Sequence, residues 1–191
     1  MESLIKKVIQ MDRNACRELY DQFNQAMYNT CLRMLTSEEE ALDALQDTFV
    51  SVFKNIHTLN DERMLPAWIK KICINTCLKQ IEKNKKFNFT SFEDQPILIN
   101  LNDEDEIVDE LEYSNKLEAI QWAIEQLPEK YRIVFNLYAI ENYSHEQISD
   151  MILIPSATCR SQYMRAKQKI IDLIKKNNNY AGSIQKISTK A

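Results

Sequence analysis

Four side chains near the end of the chain, Arg160, Ser161, Met164 and Arg165, fall within one arc of a helix turning about 100° per residue. Their types suit the edges of nucleic-acid bases. A guanidinium fork matches the paired acceptors of guanine, a hydroxyl donates or accepts, and a thioether gives apolar contact. Gln168 shares that arc, and Lys167 and Lys169 flank it. Thr158 and Lys169, at its border, suit phosphate, where a contact adds affinity and salt dependence but no sequence preference. The opposite side gathers Cys159, Tyr163, Ala166, Ile170, Leu173 and Ile174. This pattern describes binding rather than bond making.

Such a helix needs a scaffold that turns its polar side outward. Just before it, Ser144 and Gln147 have the spacing of a capping box, opening a short helix that carries Ile148, Met151 and Ile152. The stretch LIPS then breaks the pattern, and Thr158 to about Lys175 forms the last helix. A capped helix, a tight break and a second helix make a helix-turn-helix, whose second helix enters the DNA major groove. No other chemistry competes with this reading. The chain has no glycine-rich phosphate loop, no metal-ligand spacing and no nucleophile–base pair, so neither catalysis nor a cofactor is expected. His57 and His145 are its only histidines. The cysteines, Cys16, Cys31, Cys73, Cys77 and Cys159, are scattered without a CxxC pair. Cys73 and Cys77 lie one helical turn apart, so a metal or redox role is conceivable. Burial as small apolar residues in a reducing compartment is the simpler reading.

The 191-residue chain contains a single glycine, Gly182, which points to an all-α fold, because tight hairpins lean on glycine. The start MESLIKK lacks the apolar core of a signal peptide, and no stretch has the length of a membrane span. These features predict a cytoplasmic protein. Its net charge of −4 is unevenly spread. Residues 93–118 carry one lysine against ten carboxylates, whereas 1–92 stand at +1 and 119–191 at +4. The acidity therefore belongs to a central segment, and the DNA-reading helix lies in a basic region.

Helical periodicity outlines the rest. Leu4, Ile5, Val8 and Ile9 suggest a short leading helix, followed by a long one marked by Ala15, Leu19, Phe23, Ala26, Thr30 and Met34. Ser37 and Glu40 cap the next, with Leu42, Leu45, Phe49, Val52, Phe53 and Ile56 on one side. Asp43, Gln46, Asp47 and Val50 lie away from that side. After a loop, Pro66 opens a helix with Ile69, Ile72, Cys73 and Thr76 inward. Trp68, one turn before Ile72, is expected to be core. Between about Phe87 and Glu112 the regularity fails, which predicts a solvated linker. Helical signal returns at Leu117, Ile120, Ile124 and Leu127, and again after Pro128 with Val134, Phe135 and Tyr138. The end after Lys176 has the composition of a disordered tail.

Two blocks resemble a known family. EEEALDALQDTFVSVFKNI with LPAWIKKICINTCLKQI, holding Trp68, Ile72 and Asn75 at the expected spacing, resembles region 2 of the extracytoplasmic-function group of sigma-70 RNA polymerase sigma factors. LEAIQWAIEQLPEKYRIVFNLYAIENYSHEQISDMILIPSATCRSQYMRAK, with Thr158, Ser161, Arg165 and Ala166 in its T-x-x-S-x-x-x-R-A run, resembles region 4. The sequence departs from the family in places. Leu153 stands where the turn usually holds glycine, at a cost of about 1 kcal/mol if that residue is left-handed. Gln147 replaces a common Glu, and Pro155 replaces a common serine cap, so that Ser156 is expected to cap one residue late. The basic residues closing region 2 are moderate, Lys79, Lys83, Lys85 and Lys86.

The resemblance implies two small helical domains, region 2 over residues 1–86 and region 4 over 115–176. An acidic flexible linker, 87–114, joins them, and a tail follows from 177 to 191. It implies a non-enzymatic protein that lends promoter specificity to the polymerase core. Asp43, Gln46, Asp47 and Val50 then dock on the clamp helices of the largest polymerase subunit. Asn60, Arg63, Lys70, Lys71, Asn75 and Lys79 serve the promoter −10 element, Asn75 beside a flipped base. Thr158, Arg160, Ser161, Met164, Arg165 and Lys169 serve the −35 element. Promoter DNA and polymerase core are the implied partners, and an anti-sigma factor is a further one the resemblance allows. Neither cofactor, metal nor membrane insertion is implied. The residues alone also fit a helix-turn-helix regulator acting without polymerase, or a helical adaptor.

Overall fold

The structure, a computed structural model, describes residues 4–83 and 110–188, with backbone alone over 110–117 and 178–188. Among the described residues every regular element is helical, as the near-absence of glycine predicted. The chain divides into two compact units, Met1–Asn88 and Phe89–Ala191.

In the first unit α1 (Leu4–Ile9) packs on α2 (Arg13–Leu35), and α2 packs with α3 (Glu38–Asn55) and α4 (Leu65–Lys83). Side chains set the helix starts. The Asp12 carboxylate accepts from the Ala15 N–H at 2.8 Å, and the Ser37 hydroxyl accepts from the Glu40 N–H at 3.4 Å. Leu19, Met34, Val52, Ile69 and Ile74 are fully buried, each contributing about 1.5–3 kcal/mol. The Gln80 side-chain amide adds a tie from α4 to α3 by donating to the Glu40 carbonyl at 3.3 Å.

The buried arcs differ in places from the periodic reading. On α2 it is Met27, not Ala26, that turns inward, because α2 must face both α3 and α4. Leu42, assigned to the core side of α3, is 49% exposed. Ile72, Thr76 and Trp68 are half-buried, while Ile74, Cys77 and Ile81 join Ile69 and Cys73 inside. The core also contains three thiols, Cys31, Cys73 and Cys77. A hydrogen bond with Cys73, reinforced by burial, pushes the Cys31 thiol up to about 12. The Cys77 thiol is raised by its contacts with Cys31 and Cys73 and by burial. At neutral pH both are therefore uncharged packing groups.

The second unit holds α5 (Glu110–Glu125), α6 (Glu129–Phe135), α7 (His145–Ile152) and α8 (Ser156–Ser188). A single π-helical stretch, Asn136–Ile140, prolongs α6. Ala123, Leu127, Tyr131, Ala166 and Ile170 form a core joining α5, α6 and α8, with Ile124, Phe135, Leu173 and Ile174 packed against it. The Arg132 guanidinium, buried beside this core, donates to the Leu127 carbonyl at 3.1 Å. Desolvation lowers its affinity for a proton.

Three boundaries move. Residues 110–114, assigned to the linker, already belong to α5, while 87–109 lie outside the described residues. The last helix begins at Ser156 rather than Thr158. The Pro155 carbonyl accepts its first bonds, from Thr158 N at 2.9 Å and Cys159 N at 3.1 Å. Ser156 is thus the first helical residue and not a late cap, since proline's fixed φ needs no N–H partner there. At the other end the helical backbone runs on to Ser188, past the tail boundary at 177. No proline interrupts this extension, and each added residue costs less than a new nucleus.

With glycine absent from its turns, the described chain places Met11, Thr36, Asn142 and Leu153 at positive φ. Asn tolerates this conformation, whereas the other three are forced into it by what flanks them. Leu153, at φ 55° and ψ 42°, ends α7 in the left-handed conformation that glycine adopts without strain. Its side chain is 86% exposed, so it gains no packing in return. Leu153→Gly is expected to raise the stability of the second unit by ~0.5 kcal/mol, the strain relieved less the added chain entropy. Urea unfolding followed by Trp122 fluorescence in a Trp68→Phe background measures it. A lower midpoint in Leu153→Gly would remove strain at this turn from the account.

Candidate nucleic-acid interface

The turn between α7 and α8 is built from local chemistry. Ser144 and Gln147 form the expected capping box, with the Ser144 hydroxyl accepting from Gln147 N at 3.2 Å. In return Ser144 N donates to the Gln147 side-chain oxygen at 2.8 Å. At the far end the Ser149 hydroxyl donates to the Ile154 carbonyl. Ile154 is buried between exposed Leu153 and exposed Pro155, anchoring the bend from inside.

Aromatic packing sets how α8 lies on this scaffold. The Tyr163 ring stacks on Phe135 at 5.9 Å and meets Tyr138 at 4.5 Å, while Tyr138 lies nearly parallel to His145 at 4.2 Å. The π-helical stretch thereby presents Tyr138 to both neighbours. Burial, with the charge of Arg160 adding to it, holds the His145 imidazole below its ordinary range. It is therefore neutral at neutral pH, and adds no second cation beside Arg160.

With its back fixed, α8 turns the expected face outward. Arg160, Ser161 and Lys169 are exposed, and Thr158, Met164, Arg165 and Gln168 are half-buried. Cys159, Ala166 and Ile170 are buried on the other side. The Ser161 hydroxyl donates to the Thr158 carbonyl at 3.0 Å, which commits its proton and leaves its lone pairs outward. The Gln168 amide donates to Asp172 at 3.0 Å. Gln162, which the pattern did not single out, is buried on α8, and its side-chain oxygen has no hydrogen-bond partner among the described residues.

The residues expected at the −10 element divide. Lys71, Asn75 and Lys79, spaced four apart on α4, are all exposed along one stripe. Lys70 does not share it, being turned about 140° from Asn75 and half-buried on the side nearer the core. The region from Leu59 to Met64 is more ordered than a plain loop, since Glu62–Met64 form a 3-10 turn started by Asp61. Asn60 is exposed there. The Arg63 guanidinium is already forked onto Asp61, with contacts at 2.8 and 3.0 Å, and this pairing holds the Asp61 carboxyl below its usual range. Met64, 55% exposed beside this turn, is an apolar neighbour the sequence pattern gave no reason to choose.

On α3 the structure brings Asp43, Gln46, Asp47 and Val50 together on the solvent side. Leu42 joins them, lying one turn before Gln46, so that Leu42 and Val50, each 49% exposed, sit among acidic and amide groups. Extending the helix wheel past the assumed core boundary would have found Leu42. Among the described residues no helix is long and apolar enough to cross a membrane.

Comparison with known proteins bears on what these surfaces serve. Residues 19–87 match the family described as Sigma-70 region 2, and 117–170 match Sigma-70, region 4. The chain is 29% identical to the ECF RNA polymerase sigma factor SigW of Bacillus subtilis, over 89% of this chain and 96% of that one. It is 24% identical to the ECF RNA polymerase sigma-E factor of Haemophilus influenzae, over 88% and 92%. The sigma factor RpoE from Bartonella quintana, solved with the anti-sigma factor NepR, shares the fold at a TM-score of 0.51 and 17% identity, over 83% of this chain and 96% of that one. Two matched regions in the family's order, on a chain whose described elements are all helical, place this protein in the sigma-70 family as an extracytoplasmic-function RNA polymerase sigma factor.

Proposed function

We propose that this sigma factor brings polymerase core to promoters through two DNA-reading surfaces and one polymerase-docking surface. The outer face of α8 reads the −35 element, with Arg160, Ser161, Met164 and Arg165 at the bases and Thr158 and Lys169 on phosphates. The observation that carries this reading is the polar arc of α8, exposed at Arg160, Ser161 and Lys169 and half-buried between them, opposite a back in which Cys159, Ala166 and Ile170 are buried. Arg160, exposed at the start of α8, sits where the helix of this motif meets base edges.

The Lys71–Asn75–Lys79 stripe and the adjoining turn serve the −10 element. Asn75 bonds a base flipped on melting, since an amide both donates and accepts. Lys71 and Lys79 hold phosphate on either side of it. Arg63 reaches DNA from its fork on Asp61, and Lys70 contributes charge from the flank. Leu42, Asp43, Gln46, Asp47 and Val50 dock on the clamp helices of the largest polymerase subunit, where acidic groups around apolar side chains suit an arginine-bearing partner. Residues 1–86 thus act as the −10 and core-binding domain, 115–176 as the −35 domain, and 87–114 as their acidic connection. Work with polymerase places the protein in the cytoplasm. An anti-sigma factor is a further partner, supported by the one bound to the solved relative.

Each surface has its own expected outcome. Arg160→Ala or Arg165→Ala should cost about 1–3 kcal/mol of discrimination at one −35 base position. Lys169→Ala should weaken all sequences alike and reduce the salt dependence. Selection of −35 variants at fixed salt separates the two. Uniform loss of affinity in both arginine variants would make those side chains phosphate clamps. Asn75→Ala should leave initial promoter binding intact and reduce strand opening, read by permanganate reactivity at matched occupancy; equal opening rules out the base contact. Asp43→Lys with Gln46→Lys should lower core affinity ~100-fold or more through like-charge repulsion. Helix content should not change, and unaltered core binding in a titration would take this face out of the scheme.

A further inference from the structure

Cys73 and Cys77 stand one turn apart on α4, and the fold brings Cys31 of α2 to them from 42 residues before Cys73. All three side chains are fully buried. The Cys31 and Cys73 sulfurs are 3.3 Å apart, and all three sulfurs lie within 4.8 Å of one another. We propose that Cys31, Cys73 and Cys77 form a binding site for one monovalent thiophilic metal ion, of the Cu(I) class, that staples α2 to α4.

The donor geometry suits a three-coordinate ion. Around a metal with sulfur bonds of about 2.3 Å, three sulfurs stand about 4 Å apart, between the contacts present here. Little movement is needed to admit the ion. The donor set decides which ion. Among the described residues the cluster holds three thiols and no imidazole or carboxylate. A backbone oxygen, that of Met27, is 3.6 Å from the Cys73 sulfur and already accepts its S–H. Zinc in a structural site takes four ligands in a tetrahedron, which this trio does not supply. Soft sulfur ligands at low coordination number favour Cu(I).

Binding is a substitution without electron transfer. The entering monocation displaces two thiol protons to solvent, forms two thiolate bonds and keeps the third sulfur as a neutral donor, leaving one net negative charge. Because the sulfurs are held by two packed helices, the ion meets a site organised in advance. Binding to the folded state alone then raises the unfolding temperature.

The full chain, reduced and free of oxygen, is titrated with Cu(I) against a chromogenic Cu(I) chelator, both as folded protein and during refolding. One ion per chain, near-ultraviolet thiolate-to-metal absorption and a raised melting temperature are expected. Cys31→Ala, Cys73→Ala and Cys77→Ala should each weaken binding ~100-fold or more, since each removes one of three linked donors. Cys16→Ala and Cys159→Ala should bind as the parent does. Copper X-ray absorption on the parent chain counts sulfur neighbours and needs no variant to fold; three sulfurs are expected. Absence of uptake in both titrations, uptake undiminished in the Cys31, Cys73 and Cys77 variants, or equal affinity for Zn(II) overturns the proposal.

Discussion

The four residues from Ile152 to Pro155 carry the geometry on which the placement of α8 depends. Leu153 reverses the backbone in a left-handed conformation, Ile154 is driven inward, and Pro155 presents its carbonyl to the first N–H groups of α8. A different conformation at Leu153 would rotate the start of α8 and send Arg160 elsewhere. The strain of about 1 kcal/mol at this residue is small beside the burial of Ile152 and Ile154, each contributing about 1.5–3 kcal/mol. The turn therefore keeps its shape without glycine.

A second constraint is that each helix in so small a bundle buries one arc and leaves the other to solvent. α3 buries Ala44, Leu45, Thr48, Phe49 and Val52, and its remaining surface holds Asp43, Gln46, Asp47 and Val50. α4 buries Cys73, Cys77 and Ile81, and Lys71, Asn75 and Lys79 follow from the same division. The proposed contact surfaces are thus the complements of the buried arcs, held in place because their backs are packed. Buried polar groups respect the same economy. Thr30 and Thr48 return their hydroxyls to carbonyls of their own helix, Ala26 at 3.1 Å and Ala44 at 2.6 Å.

Much of this was legible in the chain because it depends on neighbours within one helical turn. The capping box at Ser144 and Gln147, the polar arc of α8 and the exposure of Asp43, Gln46, Asp47 and Val50 are all relations between residues three or four apart. Where the reading erred, the deciding contact came from another element. Leu42 has the apolar character of a core residue, yet among the described residues it is left half exposed. Ala26 falls on the apolar spacing of α2, yet Met27 is the buried residue there.

The sequence by itself determined the helical class, the order of the two matched regions, the concentration of acid between them and which side of α8 is polar. These are properties of composition and short-range spacing, which folding does not alter. Tertiary structure alone decided which arc of α2 and α4 is buried, how the π-helical stretch presents Tyr138 to Tyr163 and His145, and that Leu153 takes the left-handed turn. It also decided that Cys31 meets Cys73 and Cys77. Each of these is settled by packing between elements, from neighbouring helices at Leu153 to helices 42 residues apart at the cysteines, where the gain from burying one surface outweighs the preference of any single residue.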